Sequence, residues 1–398
     1  MTIAFFVTSF PSLSETFISN QIISLQENGH IVHIFSQDKP SDKKIHKAVE
    51  DAQLIKNTFY LQCISKNRIG RIANLLSKLL RNFTIKKIIK VYNFSFKNKG
   101  KCSVYELTHY LDKPAYDVLH AHFGQNGNYV AQLRINGLFK NAKFVTSFHG
   151  YDLMVKPSFY TQLFDSDVTI TVNSKFSKNQ VLNLNCTLDK VHILPVGLNT
   201  NFFTRNNTNS KVFCLLFVGR LIELKGPDIF LEICKELLAR NKIIFKAIIV
   251  GDGVLKNQLE KKIDSLYLNS IVELVGSKTQ EQIKEYMEKA DVFILPGITY
   301  KGRSETQGLV IQEAQSMQIP VIISDAGGMA EGILDGITGF VVKQNAIKQF
   351  VEKVELLACE NVVRKRMGYV AKKFVKEKYE IEKLTNQLLT IYDCRLDK

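Results

Sequence analysis

The chain has 398 residues, enough for two domains that each bury a core, and its formal net charge is +15 at neutral pH. Hydrophobic residues make up 45% and charged residues 23%, as in ordinary soluble globular proteins. No apolar run reaches the roughly 20 residues of a membrane-spanning helix, and the start "MTIAFFVTSF" lacks the features of a secretory signal, so we expect a cytoplasmic protein.

The seven cysteines are scattered along the chain, and no two of them form a C-x-x-C pair. This spacing argues against a zinc site or a disulfide framework and fits a reducing compartment. We expect these cysteines to be small, inert apolar side chains.

The first elements follow a strand-loop-helix-strand order. The run "TIAFFVT" predicts a buried strand, and the loop "SFPSLSE" leads into an amphipathic helix that begins near Thr16. That helix is expected to stop at Asn28 and Gly29, a common helix end, before the strand "IVHIFS".

A basic segment follows, because residues 52–105 contain no Asp or Glu while residues 56–101 supply twelve Lys and Arg. Apolar residues recur there at helical spacing, namely Ile69, Ile72, Leu76, Leu79 and Phe83. A basic amphipathic helix of this kind can lie on an anionic membrane surface. The alternative is a helix that faces the core and whose charges are simply solvated. No nucleic-acid-binding motif accompanies the charge, so a nucleic-acid partner is not expected.

The remaining pattern alternates short apolar runs with helical segments, as in α/β proteins. Strands are predicted at "DVLHAHF", "KFVTSFH", "VTITVNS" and "VHILPV", and the Asn-rich residues 197–211 are predicted to be a linker. The pattern then restarts with "VFCLLFVG", "KAIIVG", "IVELVG" and "DVFILP". We therefore expect two Rossmann-like α/β domains facing across a cleft, with ligands at the carboxyl ends of the strands.

Two loops of the second half could bind phosphate groups. In "FVGRLIELKGPD", a strand ends at Gly219, and Arg220 and Lys225 precede a helix that begins at Pro227. Two cations beside a helix N-terminus suit a diphosphate, although exposed basic residues near a turn are equally ordinary. The turn at Gly251 allows close approach of a ligand, but many α/β proteins have such a turn.

The stretch "GRSETQGLVIQEA" carries two carboxylates, Glu305 and Glu313, separated by seven residues. On a continuous helix they would lie about 80° and about 12 Å apart, which is poor geometry for one small ligand group. Gly308 instead favours a loop up to that residue and a helix from Leu309, with Ala314 and Met317 on its apolar side. The helix N-terminus between the carboxylates would then offer free N–H groups to a phosphate or sugar oxygen.

The E-x7-E spacing in "SETQGLVIQEA", together with "VGRLIELKG" and "PVIISDAGGMAEGILDGITGFVV", resembles the retaining GT-B glycosyltransferases of family 4. The motifs "FPSLSETFISNQI", "HAHFG" and "SFHGYD" resemble the subgroup that assembles exopolysaccharide, colanic-acid-like polysaccharide and lipopolysaccharide. The similarity covers nearly the whole chain and is weakest at residues 38–116.

This resemblance implies a role for each matching position. Arg220 and Lys225 would bind the donor diphosphate and stabilise its growing charge, Glu305 would hold the donor sugar, and Glu313 would hold the ribose. His149 would contact the sugar and belongs with Glu305, Arg220 and Lys225 to the expected catalytic set. The expected donor-binding set also includes Gly219, Gly251, Thr306, Gln307, Gly308 and Leu309. The acceptor-side loop would contain Ser14, Glu15 and Thr16.

The sequence departs from the family pattern at two places. The first loop reads "SFPSLSE" where many members have a Gly-Gly pair, and Thr306 and Gln307 replace the aromatic residue that often follows the first glutamate. His120 and His122 alternate along one strand face and lack a third metal ligand, so they are expected to be structural or to orient substrate. The "DSD" at residues 165–167 is interpreted as a turn, and no metal or other cofactor is expected.

The resemblance implies a first domain at residues 1–198, a donor domain at residues 199–379, and a C-terminal helix at about 380–398 that returns to the first domain. The reaction expected is transfer of a hexosyl unit, from a UDP-sugar such as UDP-galactose or UDP-glucose, to an undecaprenyl-diphosphate-linked oligosaccharide with retained configuration. The alternatives are a GDP-mannose-dependent mannosyltransferase and a non-catalytic sugar-nucleotide-binding paralogue. The basic segment at 56–101 would hold the protein on the inner face of the cytoplasmic membrane.

Overall fold

The computed structural model describes residues 1–12, 15–40, 45–61, 68–80, 91, 106–205 and 212–393. The chain divides into two units, each of which contains one wholly parallel sheet within these residues. The first unit comprises Met1–Val172, Lys178–Leu194 and Thr385–Lys398, and the second comprises Asn173–Ser177 and Pro195–Leu384.

The sheet of the first unit has the strand order β3-β2-β1-β4-β5-β6-β7. Its strands are β1 Thr2–Ser9, β2 Ile31–Asp38, β3 Thr58–Tyr60, β4 Val118–His122, β5 Lys143–Phe148, β6 Thr169–Val172 and β7 Val191–Ile193. The helices that accompany it are Thr16–Glu27, Lys47–Asp51, Arg68–Leu80, Gly124–Ile135, Thr161–Phe164, Lys175–Asn183 and the C-terminal Ile381–Asp393. The central strands are buried along their length because helices cover both faces of a parallel sheet.

The sheet of the second unit has the order β10-β9-β8-β11-β12-β13. Its strands are β8 Phe213–Val218, β9 Phe245–Val250, β10 Val272–Gly276, β11 Val292–Leu295, β12 Val321–Ser324 and β13 Gly339–Val342. Its helices are Pro227–Arg240, Lys256–Ser265, Gln280–Lys289, Leu309–Ser316, Ile347–Cys359 and Asn361–Tyr379. The register of β8 on β9 runs without a break from Phe213 opposite Phe245 to Val218 opposite Val250.

Both sheets place their first strand in the middle, so the direction of winding reverses between β1 and β4 and again between β8 and β11. At such a reversal the loops after the two neighbouring strands diverge and leave room for a ligand beyond the carboxyl ends of the strands. The prediction of two Rossmann-like α/β domains is confirmed.

The last helix, Ile381–Asp393, belongs to the first unit from Thr385 onward. Its Thr385 hydroxyl donates to Ser24 Oγ at 2.8 Å, and its Tyr392 hydroxyl lies 2.6 Å from Nδ1 of His120 on β4. All four side chains are buried, so polar contacts as well as apolar packing fix this helix to the first unit.

The structure contradicts part of the prediction that residues 197–211 form a linker. Residues 206–211 lie outside the described residues, but residues 197–205 are part of the second unit. Leu198 and Phe203 are buried in its core, and Leu198 pairs with Glu380 in an isolated bridge. The buried Ser316 hydroxyl donates to the Phe203 carbonyl at 3.0 Å. The polar, Asn-rich composition of the stretch concealed these two anchors.

The helix Arg68–Leu80 confirms the helical periodicity of the basic segment and contradicts the core-facing alternative. Its apolar residues at this spacing stay exposed to solvent: Ile69 at 82%, Ile72 at 47%, Leu76 at 52% and Leu80 at 71%. The predicted Phe83 and most of residues 81–105 lie outside the described residues, and nothing is described of the Leu79 side chain.

Candidate functional site

The candidate site is built at the carboxyl edge of the second sheet, where the loop 219–226 follows β8. Gly226 has a φ of +68°, and a Cβ there would lie 2.2 Å from the Pro296 carbonyl oxygen, next to the end of β11. Gly251, after β9, has a φ of +150°, and a Cβ there would lie 1.9 Å from the carbonyl oxygen of Gly219. Glycine is therefore required at both positions, and it lets the loops after three adjacent strands pack backbone to backbone.

Lys225 and Glu305 form a short ion pair in this site, although 80 residues separate them in the chain. Their side chains are only 13% and 19% exposed. Burial alone would raise the pKa of the Glu305 carboxyl, but the Lys225 ammonium beside it, with Arg220 nearby, holds that pKa below its ordinary value. Glu305 is therefore an anion at neutral pH, and both predicted diphosphate-binding cations lie close to it.

The predicted break at Gly308 is confirmed. Gly308 has a φ of +73° and directly precedes the helix Leu309–Ser316, on whose inner side Ala314 and Met317 are buried. Glu305 thus lies in a loop, and Glu313 lies one turn inside the helix. The first N–H groups of that helix have no partner within the helix itself, which gives the end of the loop a partial positive charge.

Glu313 differs from Glu305 in having no adjacent cation. This difference holds among the residues that the structure describes, where Glu313 forms no ion pair. Glu313 is 9% exposed, and burial raises the pKa of its carboxyl to about 7, opposed by a hydrogen bond from Gln280 and by the field of Lys225. A buried carboxyl group that is held near its titration point gains from any ligand that donates hydrogen bonds to it. Vicinal hydroxyl groups are such donors.

The loop that carries Glu305 rests on a Gly-Gly turn whose role the sequence did not reveal. The N–H of Gly328 donates to the Glu305 carbonyl at 2.8 Å. A Cβ on Gly327 would lie 2.2 Å from that carbonyl oxygen, and a Cβ on Gly328 would lie 2.0 Å from the Thr306 carbonyl oxygen. The family pattern marked this turn, and the distances show that it supports the backbone of Glu305.

Asn173 and Glu331, which the sequence reading also missed, hold this support in place. Asn173 Nδ2 donates to Thr306 Oγ1 at 2.9 Å. The Glu331 carboxylate accepts from the N–H groups of Lys175 and Phe176, both at 2.8 Å, in the first turn of a helix. These partners are 133, 156 and 155 residues apart in the chain, so no local pattern could indicate them.

The side chains of Thr306 and Gln307 form hydrogen bonds with other residues of the protein. Thr306 accepts from Asn173, while Gln307 Oε1 accepts from the Val196 N–H at 2.8 Å and Gln307 Nε2 donates to the Val196 carbonyl at 3.1 Å. Both residues are buried. Their expected part in donor binding stays a prediction, and it would use their backbone groups. Gly219 is not sterically demanding, since the nearest atom to a Cβ there would be 3.6 Å away.

His149 lies in the first unit, in the loop after β5, and its backbone is held by a buried carboxylate. Asp152 accepts from the N–H groups of His149, Gly150 and Gly124 at 3.1, 3.0 and 2.8 Å. It thereby joins the loops after β4 and β5. Burial raises the pKa of the Asp152 carboxyl to about 6, against these hydrogen bonds. The motif "HGYD" contains both residues, so this partner could have been proposed from the sequence.

The other predicted residues of the first unit have mixed outcomes. His120 and His122 are fully buried on β4, as expected for structural histidines. Asp167 forms an ion pair with Arg134 at 2.7 Å just before β6, so this part of the "DSD" stretch serves the turn. The helix of the first loop begins at Thr16, and Glu15 precedes it as its N-cap residue. Ser14 lies outside the described residues.

The described residues contain neither a candidate metal site nor a candidate membrane-spanning helix. No group of three or more His, Cys, Asp or Glu is placed to hold a metal ion there. None of the helices in this part of the chain has the length and apolar character to cross a membrane.

The second half of the chain is similar to a known sequence family. Residues 199–374 match the family model described as Glycosyl transferases group 1. WcaL of Salmonella typhimurium, named as a colanic acid biosynthesis glycosyltransferase, is 29% identical over 357 residues, which cover 87% of each chain. AmsK of Erwinia amylovora, named as an amylovoran biosynthesis glycosyltransferase, is 28% identical over 86% of this chain and 87% of its own.

Solved structures show the same fold at low sequence identity. A glycosyltransferase from Rickettsia africae has a TM-score of 0.71 at 20% identity, covering 98% of this chain and 97% of its own. Anabaena HepE, solved in complex with UDP, has a TM-score of 0.73 at 16% identity, covering 98% and 99%. The fold is therefore GT-B, as predicted, and residues 199–374 are similar to the group 1 glycosyltransferases.

Proposed function

We propose that the protein transfers a hexosyl unit from a nucleotide diphosphate sugar to a lipid-linked oligosaccharide, with retention of anomeric configuration, during assembly of a surface polysaccharide. The observation that supports this most is the placement of Arg220 and Lys225 beside Glu305 at the carboxyl edge of the second sheet. A diphosphate needs two fixed cations, and a sugar needs an anionic acceptor of hydrogen bonds next to them.

In this proposal Lys225 is shared between two anions. Without a donor it neutralises Glu305, and with a donor it also faces the diphosphate, whose negative charge grows as the sugar departs. Arg220 is exposed and supplies a planar pair of N–H donors to the same group. Glu305 is left as the acceptor for sugar hydroxyls. Catalysis would then rest on positioning and on charge stabilisation at the leaving group.

The helix Leu309–Ser316 would sit between the sugar and the ribose. Its free N–H groups face oxygens of the donor, and Glu313 accepts hydrogen bonds from the two ribose hydroxyls. His149, held by Asp152, would contact the sugar, and Glu15 and Thr16 would lie on the acceptor side. No separate protein nucleophile is part of this proposal. The departing phosphate would help to remove the proton from the acceptor hydroxyl.

The names of the similar proteins support the pathway class. WcaL and AmsK are named for colanic acid and amylovoran biosynthesis, both of which are polysaccharides. HepE was solved with UDP, and also with UDP and glucose, which favours a UDP-hexose as the first donor to test. A GDP-mannose-dependent transfer is the second candidate, because the contacts to diphosphate and ribose are shared by both nucleotides.

Transfer is proposed to be metal-independent, since Arg220 and Lys225 provide the positive charge at the diphosphate. Activity should therefore survive EDTA. Complete loss that Mg²⁺ or Mn²⁺ restores would contradict this part of the proposal.

The protein is further proposed to lie on the inner face of the cytoplasmic membrane, where its lipid-linked acceptor would be. The exposed apolar stripe of the helix Arg68–Leu80, within a segment that is rich in Lys and Arg and free of Asp and Glu, supports this contact. Apolar side chains that enter the interface and cations that face anionic headgroups would act together there.

The donor assignment is tested by calorimetric titration of UDP and GDP into wild type and into the double variant Arg220→Ala, Lys225→Ala. Loss of two charge-assisted contacts should weaken nucleotide binding on the order of a hundredfold or more. The matched control is Lys348→Ala with Arg366→Ala, which removes the same charge from exposed positions of the second unit. Equal affinity in the two double variants would exclude the diphosphate role.

The transfer role is tested by Glu305→Gln, assayed by mass spectrometry with UDP-hexoses and lipid-linked oligosaccharide acceptors. Turnover should fall by several orders of magnitude, because the anionic acceptor for the sugar is lost, while nucleotide binding stays within a few-fold of wild type. Near-normal turnover would remove Glu305 from the site.

A further inference from the structure

Three short segments of the second unit lie at or near the places where the chain passes from one unit to the other. The chain passes after Val172, Ser177, Leu194 and Leu384. We call these three segments the connecting segments: residues 173–177, 195–198 and 378–381. Their hydrogen bonds within the second unit lead to the loop that carries Glu305 and to the Gly-Gly turn that supports it.

Gln307 bonds to the connecting segment 195–198 through both groups of its side-chain amide. Its Oε1 accepts from the Val196 N–H at 2.8 Å, and its Nε2 donates to the Val196 carbonyl at 3.1 Å. A backbone N–H can only donate and a carbonyl can only accept, so these two partners fix the orientation of the amide. Gln307 is 5% exposed, so water does not readily replace either bond.

Residues 195–198 also pair with the last connecting segment through the backbone. The Leu198 N–H donates to the Tyr379 carbonyl at 2.8 Å, and the Ile381 N–H donates to the Leu198 carbonyl at 3.0 Å. A Cβ on Gly197 would lie 3.0 Å from the Ile381 Cα, so the two backbones are in close contact there. A displacement of either segment would therefore be transmitted to the other.

Residues 173–177 are bonded to Thr306, which directly follows Glu305 in the chain. Asn173 Nδ2 donates to Thr306 Oγ1 at 2.9 Å, and both side chains are buried. Asn173 Oδ1 accepts from the Ser177 hydroxyl at 2.8 Å, so the Asn173 side chain is also held from within its own segment. The loop that carries Glu305 is thus bonded to a second connecting segment, one residue before the first bond.

Glu331 joins two of the connecting segments at the Gly-Gly turn. Its carboxylate accepts from two N–H groups of the segment 173–177, and its carbonyl accepts from Lys378 Nζ at 2.8 Å. Gly328, whose N–H donates to the Glu305 carbonyl, is the N-cap of the short turn that contains Glu331. All three connecting segments therefore bond to the Glu305 loop or to the turn that supports it.

We propose that Gln307 and Asn173 are positioning residues for Glu305, and that they couple its contact with the donor sugar to the connecting segments. The sugar contact itself rests on the proposed function. Glu305, Thr306 and Gln307 are consecutive, and the peptide groups between them are planar, so bonds at the last two restrict the placement of the first. Coupling between two sites is reciprocal, so a sugar that restrains Glu305 also restrains the connecting segments.

The positioning role is tested without substrate, by hydrogen exchange of the full-length protein with residue-level mass spectrometry. The readout is the Gly328 N–H, because its acceptor is the carbonyl of Glu305 itself. In Gln307→Leu this N–H should exchange on the order of tenfold faster, since the Glu305 loop is released. Gln258→Leu, at an exposed position of the same unit, is the matched control and should exchange as wild type does. Equal exchange in the two variants would overturn the positioning role.

Asn173→Ala keeps the test decisive if Gln307→Leu does not fold. It removes the bond to Thr306 and should also speed exchange of the Gly328 N–H, whereas its control Asn257→Ala, at an exposed position, should not. Exchange in Asn173→Ala equal to that in its control would contradict the role of Asn173.

The coupling is tested on wild type, with UDP-glucose compared with UDP and GDP-mannose compared with GDP, each at saturating concentration. The bound nucleotide sugar should slow exchange of the Val196 N–H on the order of fivefold or more beyond the effect of its nucleotide. Equal exchange with a bound nucleotide sugar and with its nucleotide would overturn the coupling. If neither sugar nor nucleotide binds, the proposed function fails, while exchange of the Gly328 N–H still decides the positioning role.

Turnover gives a separate readout of the same role. Gln307→Leu should lower kcat on the order of tenfold or more and leave the affinity for UDP or GDP within about twofold of wild type, because only the sugar contact is misplaced. A loss of nucleotide affinity as large as the loss of kcat would mean that Gln307 supports the whole donor site, against the inference. If wild type transfers no sugar, the proposed function fails, and the exchange measurement without substrate again decides the positioning role.

Discussion

At the scale of single residues, the pKa values of the two glutamates of the candidate site are shifted in opposite directions. Lys225 and Arg220 hold the pKa of Glu305 below its ordinary value, whereas burial raises the pKa of Glu313 to about 7. A glutamate that keeps its charge suits a position beside a reacting sugar. A glutamate whose carboxylate is destabilised by burial until hydroxyl groups donate to it suits a contact that forms only when the ligand binds.

Replacing Glu313 with Gln should stabilise the free protein at alkaline pH. Below the ordinary pKa of 4.5 both folded and unfolded chains are protonated, so the raised pKa has no effect there. Between pH 4.5 and about 7 the carboxyl ionises in the unfolded chain but stays largely protonated in the folded one, so the folded state loses up to about 3 kcal/mol relative to a neutral side chain, and the loss is complete above pH 7. Urea unfolding at pH 8 should show Glu313→Gln to be more stable by an amount of that order, with a difference under about 1 kcal/mol at pH 4.5.

The control for this measurement is Glu260→Gln, at an exposed position of the same unit, which should change stability by no more than about 0.5 kcal/mol at either pH. Calorimetry should show weaker nucleotide binding by Glu313→Gln despite its greater stability, as expected where function costs stability. If Glu313→Gln were no more stable than wild type at pH 8, burial would not destabilise the Glu313 carboxylate in the free protein.

At the scale of elements, two glycines at adjacent strand ends differ in what they permit. Gly251→Ala would place a methyl group 1.9 Å from the Gly219 carbonyl oxygen at a φ of +150°. The loops after β8 and β9 would have to separate, and the free energy of unfolding should fall by at least about 2 kcal/mol. Gly219→Ala is the matched control, because its methyl group meets nothing closer than 3.6 Å. Equal unfolding curves for the two variants would show that these loops are not closely packed.

The helix Arg68–Leu80 is the element that would bind the membrane. Changing Ile69, Ile72 and Leu76 to Gln removes most of its exposed apolar stripe and should weaken binding to anionic phosphatidylglycerol vesicles on the order of a hundredfold. Co-sedimentation in rising salt measures this, and wild-type binding should also fall with salt because cations contribute.

The control triple variant changes Ile244, Tyr267 and Val362, which are exposed positions of the second unit, to Gln. It should bind vesicles as wild type does. If the triple variant of Ile69, Ile72 and Leu76 bound vesicles as tightly as wild type does, the membrane contact would be assigned to another part of the chain.

At the scale of the whole molecule, the sequence predicted the order of the strands and helices and the positions where they begin or end. It did not predict the side-chain contacts between residues that are distant in the chain. Apolar runs located ten of the thirteen described strands, all but β3, β12 and β13, and Gly308 located the start of the helix between the glutamates, because these signals are local. The pairing of Lys225 with Glu305 and the capping of residues 175 and 176 by Glu331 join parts of the chain 80 to 156 residues apart. Such pairs form only once the sheet brings the loops together, so no spacing rule indicates them.

The same distinction applies to the exposed helix of the first unit. Its 3.6-residue periodicity was readable, yet periodicity alone gives the existence of an apolar face and not what that face meets. Only the structure shows that Ile69 and Leu76 are uncovered. An apolar pattern that is usually buried in the core is exposed to solvent at these two positions.

The C-terminal helix returns to the first unit through buried hydrogen bonds, one of which joins Tyr392 and His120 across 272 residues. His120 also lies 2.7 Å from the Ser147 hydroxyl, which lies 2.5 Å from the Thr171 hydroxyl, so one chain of hydrogen bonds joins this helix to three strands.

Tyr392→Phe would leave Nδ1 of His120 without its partner and should lower the free energy of unfolding by about 1–2 kcal/mol. Differential scanning calorimetry checks this against Tyr267→Phe, at an exposed position, which should be neutral. Because nucleotide is proposed to bind the second unit, UDP affinity should be the same in both variants. An unfolding temperature of Tyr392→Phe equal to that of the control would show that packing alone fixes the helix.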